Sequence, residues 1–333
     1  MKGPSVSAII VNWNHGRLIQ DCLDALLAQD YSPLDVTVVD NGSNDGSPEL
    51  IAGHYPSVRL GEFPENYGFS RAFNWGAGHC ASDWILSLNP DTVVQDQCIR
   101  EMLEAVGTCG EHSTRVGSVA PKLLQAADPT ILDSTGLFID RRRRPYDRGQ
   151  GEPDCGQYDE GVDVFGACGA AALYRRAMLE DLASDGEYFD AGFFAYYEDA
   201  DLAWRAQLRG WRCLHASRAV AIHARGWGDT LRKPGREAKN AAGPRLALRN
   251  RYLMTAKNDV QRHFFADLPW ILAAELPRLG YAAATQPGVL LGLLDLARAL
   301  PHAWRQRRQI HTCRTADEAA IRRWFVAPTE AGR

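Results

Sequence analysis

Val6-Ser7-Ala8-Ile9-Ile10-Val11 and Val36-Thr37-Val38-Val39-Asp40 are the two apolar, β-branched runs on which the fold turns. Each is short and ends in polar residues, the pattern of a buried strand. Between them Leu18, Cys22 and Leu26, with Ile19, Leu23 and Leu27 beside them, recur at helical spacing from about Arg17 to Ala28. Strand, helix, strand is a parallel βαβ unit, and Trp84–Leu88 supplies a third apolar run, so the class is α/β. Such units place ligand sites beyond the carboxyl ends of their strands. Asn12-Trp13-Asn14, Asp40-Asn41-Gly42-Ser43 and Asn89-Pro90-Asp91 all fall there, so three polar clusters are expected to converge on one edge.

From about Val116 to His223 the pattern is less regular. Ile131–Ile139 and Ala170–Tyr174 read as strands, and the Arg-, Gly-, Pro- and Asp-rich stretch from Arg141 to Asp163 reads as a mobile surface loop. A helix is expected from near Asp199 to Gly210 and a strand over Ala219–Ile222. This section should complete the sheet rather than form a free domain. A Gly-rich, basic connection (Gly226, Gly228, Lys233, Pro234, Gly235, Arg236) then leads into a helical tail, which divides the chain into 1–115, 116–225 and 226–333.

With 333 residues, 45% hydrophobic and 23% charged, the composition is that of a folded globular chain and excludes disorder, collagen-like repeats and a small disulfide scaffold. The eight cysteines include no Cys-x-x-Cys pair, so they read as buried, reduced thiols of a cytoplasmic protein rather than as a zinc site. The first residues lack the apolar core of a signal peptide. The net charge of -4 hides an asymmetry: residues 1–230 hold 19 Lys+Arg against 33 Asp+Glu, and residues 231–333 hold 18 against 8. An acidic body disfavours nucleic acid as a partner. The longest uncharged run of the tail, Leu279 to Leu294, contains Gly280, Pro287 and Gly288 and is shorter than the roughly 20 apolar residues of a spanning helix. Phe264, Phe265, Trp270, Ile271, Leu272, Leu290, Leu291, Leu293 and Leu294 mix there with Arg278, Arg298, Arg305, Arg307 and Arg308, which fits a surface lying on anionic lipid. The other reading is a helical appendage packed on the body or on a second subunit, which leaves a homo-oligomer open.

Four stretches carry chemistry. Asp40 is a carboxylate at a strand tip, suited to accept hydrogen bonds from a base or ribose, although its Asn-Gly turn is also ordinary loop punctuation. Asp91, in Asn89-Pro90-Asp91-Thr92, suits a hard divalent cation that keeps room for phosphate oxygens, or equally a plain type I turn. Phe193-Phe194-Ala195-Tyr196-Tyr197 runs into Glu198, Asp199 and Asp201, where apolar surroundings raise a carboxyl pKa and a helix N-terminus lowers it. One of these carboxylates could serve as a general base, or they could simply cap the helix. His223, at a strand end, could be a further metal ligand.

The order Ile10-Val11-Asn12-Trp13-Asn14, Val39-Asp40-Asn41-Gly42-Ser43, Asn66-Tyr67-Gly68-Phe69-Ser70-Arg71-Ala72-Phe73-Asn74-Trp75-Gly76, Asn89-Pro90-Asp91, Glu198-Asp199-Ala200-Asp201-Leu202-Ala203-Trp204-Arg205 and His223 resembles the inverting family 2 glycosyltransferases of the GT-A fold. The likeness is strongest to the rhamnosyltransferase-like branch, related to galactofuranosyltransferases, and spans about residues 5–225. It implies a mixed, mostly parallel sheet flanked by helices, with 1–115 as the nucleotide-sugar half, 116–225 as the acceptor and catalytic half, and 226–333 as a basic helical extension. It implies Asp40 at the base or ribose with Asn12 and Asn14 nearby, and Asn66, Gly68 and Asn74 around the nucleotide and donor sugar. It further implies Asp91 and His223 as ligands of Mg²⁺ or Mn²⁺, and Asp199, with Glu198 beside it, as catalytic base. Asn89 stands where the family's metal motif has its first Asp, which removes one charge from that site. The implied reaction moves a sugar, L-rhamnose first among them, from a dTDP- or UDP-linked donor to a glycan or lipid-linked glycan at the cytoplasmic face of a membrane. A nucleotidyltransferase would need a Gly-rich, basic phosphate loop near the N-terminus, and Asn12-Trp13-Asn14-His15-Gly16-Arg17 matches it poorly. A sugar-nucleotide-binding protein without activity is opposed by the joint presence of Asp91, Asp199 and His223.

Overall fold

A computed structural model of the chain describes residues 3–160, 163–225 and 242–326. β1 (Val6–Asn12), α1 (Leu18–Leu27) and β2 (Leu34–Asn41) form the expected βαβ unit, with Val6 to Asn12 paired in parallel to Leu34 to Asp40. α2 (Ser47–His54), β3 (Arg59–Phe63), α3 (Phe69–Gly78) and β4 (Trp84–Leu88) continue the winding. β1 lies between β2 and β4, so the polar ends of these strands sit side by side. β5 (Thr92–Val94), α4 (Cys98–Gly107) and β6 (Val116–Gln125) lead into the second half. There follow β7 (Asp128–Ser134), β8 (Leu137–Asp140), β9 (Pro145–Asp147), β10 (Asp163–Val164), β11 (Ala171–Arg175), α5 (Arg176–Leu182), α6 (Glu198–Leu208) and β12 (Arg212–His223).

The main sheet runs β10-β12-β6-β11-β4-β1-β2-β3, with β5 on β12 and β7 on β6. β11 is antiparallel to both β4 and β6, and β12 is parallel to β6, so β3, β2, β1, β4, β6 and β12 all point one way. Both faces of this mixed, mostly parallel sheet are covered, which is why its central strands are apolar at consecutive positions. Ala8, Ile10, Leu86 and Leu88 pack on one side with Leu23 and Met102, whereas Ile9, Val11 and Ile85 pack on the other with Phe73, Leu179 and Leu202.

Three expectations are corrected. The strand expected over Ile131–Ile139 is two strands, β7 and β8, broken at Gly136, whose φ of +114° and Cβ position 2.8 Å from Val164 Cγ2 admit no side chain. Of the stretch from Arg141 to Asp163, residues 141–149 are packed and carry β9, whereas residues 150–160 are mostly exposed, as expected of a surface loop. Arg143 is buried against Asp259 and Asp267, and Arg148 against Thr135. An arginine-rich stretch looks solvated when its acidic partners lie more than a hundred residues away. The cysteines are free, but Cys155 and Cys313 are exposed, so they are not uniformly buried thiols.

The extension consists of α7 (Ala242–Asn258), α8 (Gln261–Thr285), α9 (Leu291–Thr312), α10 (Glu318–Arg322) and β13 (Phe325–Val326). The Gly-rich connection from Gly226 to Arg236 lies outside the described residues. β13 pairs with β8, and Leu253, Met254, Ala303 and Trp324 share one core with Ile139, Phe165 and Trp204 of the body. Buried ion pairs cross the same boundary, with Lys257 Nζ 2.6 Å from Asp190 Oδ2 and 3.1 Å from Asp201 Oδ1. The opposite charges of body and tail therefore meet in part within the protein itself. Among the described residues no helix is long and apolar enough to cross a membrane.

Candidate active site

The turn after β4 carries Asn89, Pro90 and Asp91, and β5 begins directly behind it. β5 pairs with the end of β12 in the register Thr92 to His223, and the Ala224 N–H donates to the Asp91 carbonyl at 2.9 Å. This pairing brings His223 Nε2 to 3.4 Å from Asp91 Oδ1 across 132 positions of sequence. On its other side His223 Nδ1 is 2.8 Å from Asp133 Oδ2, a fully buried carboxylate on β7 that also accepts from Arg225. A carboxylate cannot donate, so Nδ1 carries the proton and Nε2 faces Asp91. Burial opposes a charge on this imidazole, but the hydrogen bonds and charges of Asp133 and Asp91 outweigh it and raise its pKa to about 9. Among the described residues no three His, Cys, Asp or Glu side chains form a metal cage on their own. Asp91 Oδ1 and His223 Nε2 nevertheless fit a divalent cation that draws its other oxygens from a bound diphosphate, with Asp133 orienting the imidazole from behind.

α6 opens with Glu198 and Asp199. Asp199 Oδ2 accepts from the Gly169 N–H at 2.9 Å, and Asp199 Oδ1 accepts from the Ala200 N–H at 2.7 Å. The next residue, Ala170, accepts from the Asn89 N–H at 2.9 Å, so the segment entering β11 ties both carboxylate corners together. Burial raises Asp199 to about 6 despite these backbone bonds, and burial together with the Asp199 charge raises Glu198 to about 8. Asp201 is fully buried and holds Arg205, Lys257 and Asn258, so it belongs to the scaffold.

The aromatic stretch before α6 has an unusual backbone, because Phe194, Tyr196 and Tyr197 all take φ between 66 and 71°. Left-handed non-glycine residues cost about 1–3 kcal/mol each unless their surroundings impose them. Asn250 of α7, fully buried, supplies that restraint: its Nδ2 donates to the carbonyls of Phe193, Ala195 and Tyr196 at 2.8, 2.8 and 2.9 Å. Asn250→Ala should lower kcat by about tenfold or more, since small misplacements of reacting groups are costly, while KM for the donor changes little. Steady-state kinetics separate the two, and an unchanged kcat would remove Asn250 from this role. Neither Asn250 nor Asp133 was singled out from the sequence. No local motif marks either, and only their tertiary partners give them a part.

The remaining expected residues divide. Asn66 and Gly68 line the cleft, where Asn66 Oδ1 accepts from Asn41 Nδ2 at 2.9 Å and from the Gly68 N–H at 2.9 Å. Gly68 has φ +87° and a side chain there would come 2.6 Å from the Phe194 carbonyl oxygen, so only glycine lets α3 approach the aromatic stretch. Asp40 does not line the cleft. It is buried, and its oxygens accept from Asn12 Nδ2, Ser43 Oγ and the Ser43 N–H. Asn12 Nδ2 also reaches Ser47 Oγ, and Asn14 Oδ1 accepts from the Asn44 N–H, so this group braces the β1 and β2 ends. Asn74 braces α3 against the Tyr188 and Phe189 backbone. Trp13, His15 and Asn41 line the cleft instead.

Asn89, Asp91, Glu198, Asp199 and His223 all open into one cleft of about 780 Å³, large enough for a nucleoside diphosphate sugar. Residues 7–115 match the family described as Glycosyl transferase family 2. The chain is 26% identical over 243 residues to the N-acetylglucosaminyl-diphospho-decaprenol L-rhamnosyltransferase of Mycobacterium tuberculosis, an alignment covering 65% of this chain and 74% of that protein. Among solved structures it superposes on GalNAc-T7 with UDP, GalNAc and Mn²⁺ at a TM-score of 0.63 and 13% identity, covering 94% of this chain and 56% of that one. It also superposes on S. aureus TarS 1-349 in complex with UDP at a TM-score of 0.56 and 16% identity, covering 97% and 89%. Sheet order, cleft and these likenesses agree: residues 7–115 form a glycosyl transferase family 2 domain, and the chain is a glycosyltransferase built on the GT-A fold.

Proposed function

We propose that this enzyme moves L-rhamnose from dTDP-rhamnose to a hydroxyl of a lipid-linked glycan, with inversion at the anomeric carbon. The observation that carries the mechanism is that Asp199 and the Asp91–His223 pair border one cleft. The choice of sugar and acceptor rests on the likeness to the mycobacterial rhamnosyltransferase. The donor lies with its nucleotide toward Trp13, Asn41 and Asn66 and its diphosphate toward Asn89, Asp91 and His223. Asp199 takes the proton of the acceptor hydroxyl as the oxygen bonds to the anomeric carbon. The bond to the phosphate oxygen breaks, and the nucleoside diphosphate leaves with its electron pair. A single displacement forms no covalent sugar on the protein. Asp91 and His223 would hold Mg²⁺ or Mn²⁺, which when bound stabilises charge on the leaving diphosphate. Asn89 offers a neutral oxygen there in place of a carboxylate.

The proton distribution favours Asp199 over its neighbour. Asp199 accepts two backbone N–H bonds that favour its charged form, whereas burial and the Asp199 charge push Glu198 up, so the pair carries its charge on Asp199 and its proton on Glu198. A base is active when deprotonated, so kcat/KM should rise with pH through about 6 and fall away below it. A pH–rate profile at saturating cation tests this, and a profile flat from pH 5 to 8 would count against Asp199 as base. The assignment of donor is tested by a panel of dTDP-rhamnose, UDP-sugars and GDP-mannose with a lipid-linked acceptor, scoring nucleoside diphosphate release with and without a chelator. Release from dTDP-rhamnose is expected, and turnover confined to another donor would replace the sugar while keeping the mechanism.

A further inference from the structure

α8 is built inside out. The four residues it buries are His263, Asp267, Ile271 and Glu275, spaced four apart on one face. Asp267 takes Arg141, Arg143 and Arg322, and Glu275 takes Arg251, so the polar stripe is turned inward and neutralised by ion pairs. The opposite face is apolar: Phe265, Leu272 and Leu276 share it and are 66%, 44% and 64% exposed. Pro269, Ala273, Pro277 and Gly280 fill the same side, so it carries no charge from Ala266 to Thr285. Trp270 and Tyr281 are 54% and 66% exposed at its margins. A helix on the surface of a water-soluble domain normally has the reverse polarity. An uncharged face of this size marks an interaction surface.

The occupant is indicated by the next long helix along the chain. α9 exposes Leu294, Arg298, Trp304, Arg305 and Arg308 at helical spacing, so apolar and cationic side chains share its outer side. An apolar face edged by Trp and Tyr, followed along the chain by a helix face of leucine, tryptophan and arginine, has the chemistry of segments that lie in the boundary of an anionic bilayer. A protein partner would not require the cations, and neither helix is suited to span. We propose that the outward face of α8, with the arginines of α9, seats this chain on an anionic lipid surface. The inference goes beyond the donor and acceptor proposed above and holds whichever sugar is moved.

The test is flotation of the full chain with vesicles of phosphatidylcholine alone and of phosphatidylcholine with phosphatidylglycerol, alongside Leu272→Glu/Leu276→Glu and Arg305→Glu/Arg308→Glu variants. These positions are exposed, so the variants should keep the wild-type melting temperature and the wild-type release of nucleoside diphosphate from free donor. The wild type is expected to float with the anionic vesicles, and each variant to lose about tenfold or more of that partition. Wild-type protein left in the soluble fraction, or variants that float equally, would overturn the proposal. A mass by light scattering that is dimeric in the wild type, monomeric in the leucine variant and unaltered by vesicles would also overturn it by giving the face to a second copy. Failure of the sugar assignment shows separately, as floating protein that does not use dTDP-rhamnose.

Discussion

Asp199→Asn is expected to lower transfer by about 10²–10⁴-fold, the range for removing a positioned general base, while the chain still folds and still binds nucleoside diphosphate. An acceptor hydroxyl is a poor nucleophile at neutral pH, and the substituted amide cannot take its proton. Asp199 keeps its base ready because burial lifts its pKa to about 6 without bringing it to neutrality. The amide oxygen can still accept from Gly169 or Ala200, but the NH₂ group then faces the other N–H, a local cost of about 1–3 kcal/mol. A melting temperature and a titration with nucleotide therefore accompany the kinetics. Glu198→Gln is the comparison. Burial and the Asp199 charge hold the proton on Glu198, so glutamine replaces a neutral acid by a neutral amide, and the loss should stay within about tenfold. If Glu198→Gln removes more activity than Asp199→Asn, the base is Glu198. Asp201 is not an alternative, because both of its oxygens are held by Arg205, Lys257 and Asn258.

The parts of this site that follow from short-range pattern were legible in the sequence. Strand period and polar strand ends placed Asn12, Asp40 and Asp91 at neighbouring strand ends, where Asp91 lines the cleft and the other two do not, and the motif order picked out Asp199 and His223, which line it as well. What each side chain binds was not legible, because that depends on chain segments brought together only by the fold. Asp40 looks in sequence like an open acceptor at a strand tip, yet Asn12 and Ser43 saturate it once β1 and β2 lie side by side. Asp133 looks like an ordinary strand residue and becomes the partner of His223 through the meeting of β6, β7 and β12. The extension shows the same limit. Its excess of arginine reads as a solvated or lipid-facing surface, and Arg298, Arg305 and Arg308 are exposed. Yet Lys257, Arg251 and Asn250 are turned inward, and Asn250 holds the strained backbone that leads to Glu198 and Asp199.

Asp91→Asn should lower transfer by about 10²–10³-fold at low Mn²⁺, comparable to losing one preorganised group that stabilises developing charge, and should raise the Mn²⁺ concentration giving half-maximal rate. With Asn already at position 89, Asp91 supplies the only carboxylate of the Asn89-Pro90-Asp91 turn, so its loss leaves a neutral turn beneath the diphosphate. Asp133→Asn should act more gently. It leaves both proposed ligands in place and removes only the carboxylate behind His223 Nδ1, and such outer partners are worth about 10–100-fold in metal affinity. The two variants should therefore differ in kind. Excess Mn²⁺ restores most of the rate to Asp133→Asn, whereas Asp91→Asn remains slow at saturation. The acid–base state of His223 sets the direction of the pH effect. With its pKa near 9, the imidazole without a cation is protonated at neutral pH between Asp91 and Asp133, so the metal must displace a proton. Half-saturating Mn²⁺ should accordingly fall as pH rises from 6 to 8, a trend that titrations of rate against Mn²⁺ would reveal. Rates indifferent to chelator in the wild type and in both variants would show that this corner works by hydrogen bonding alone.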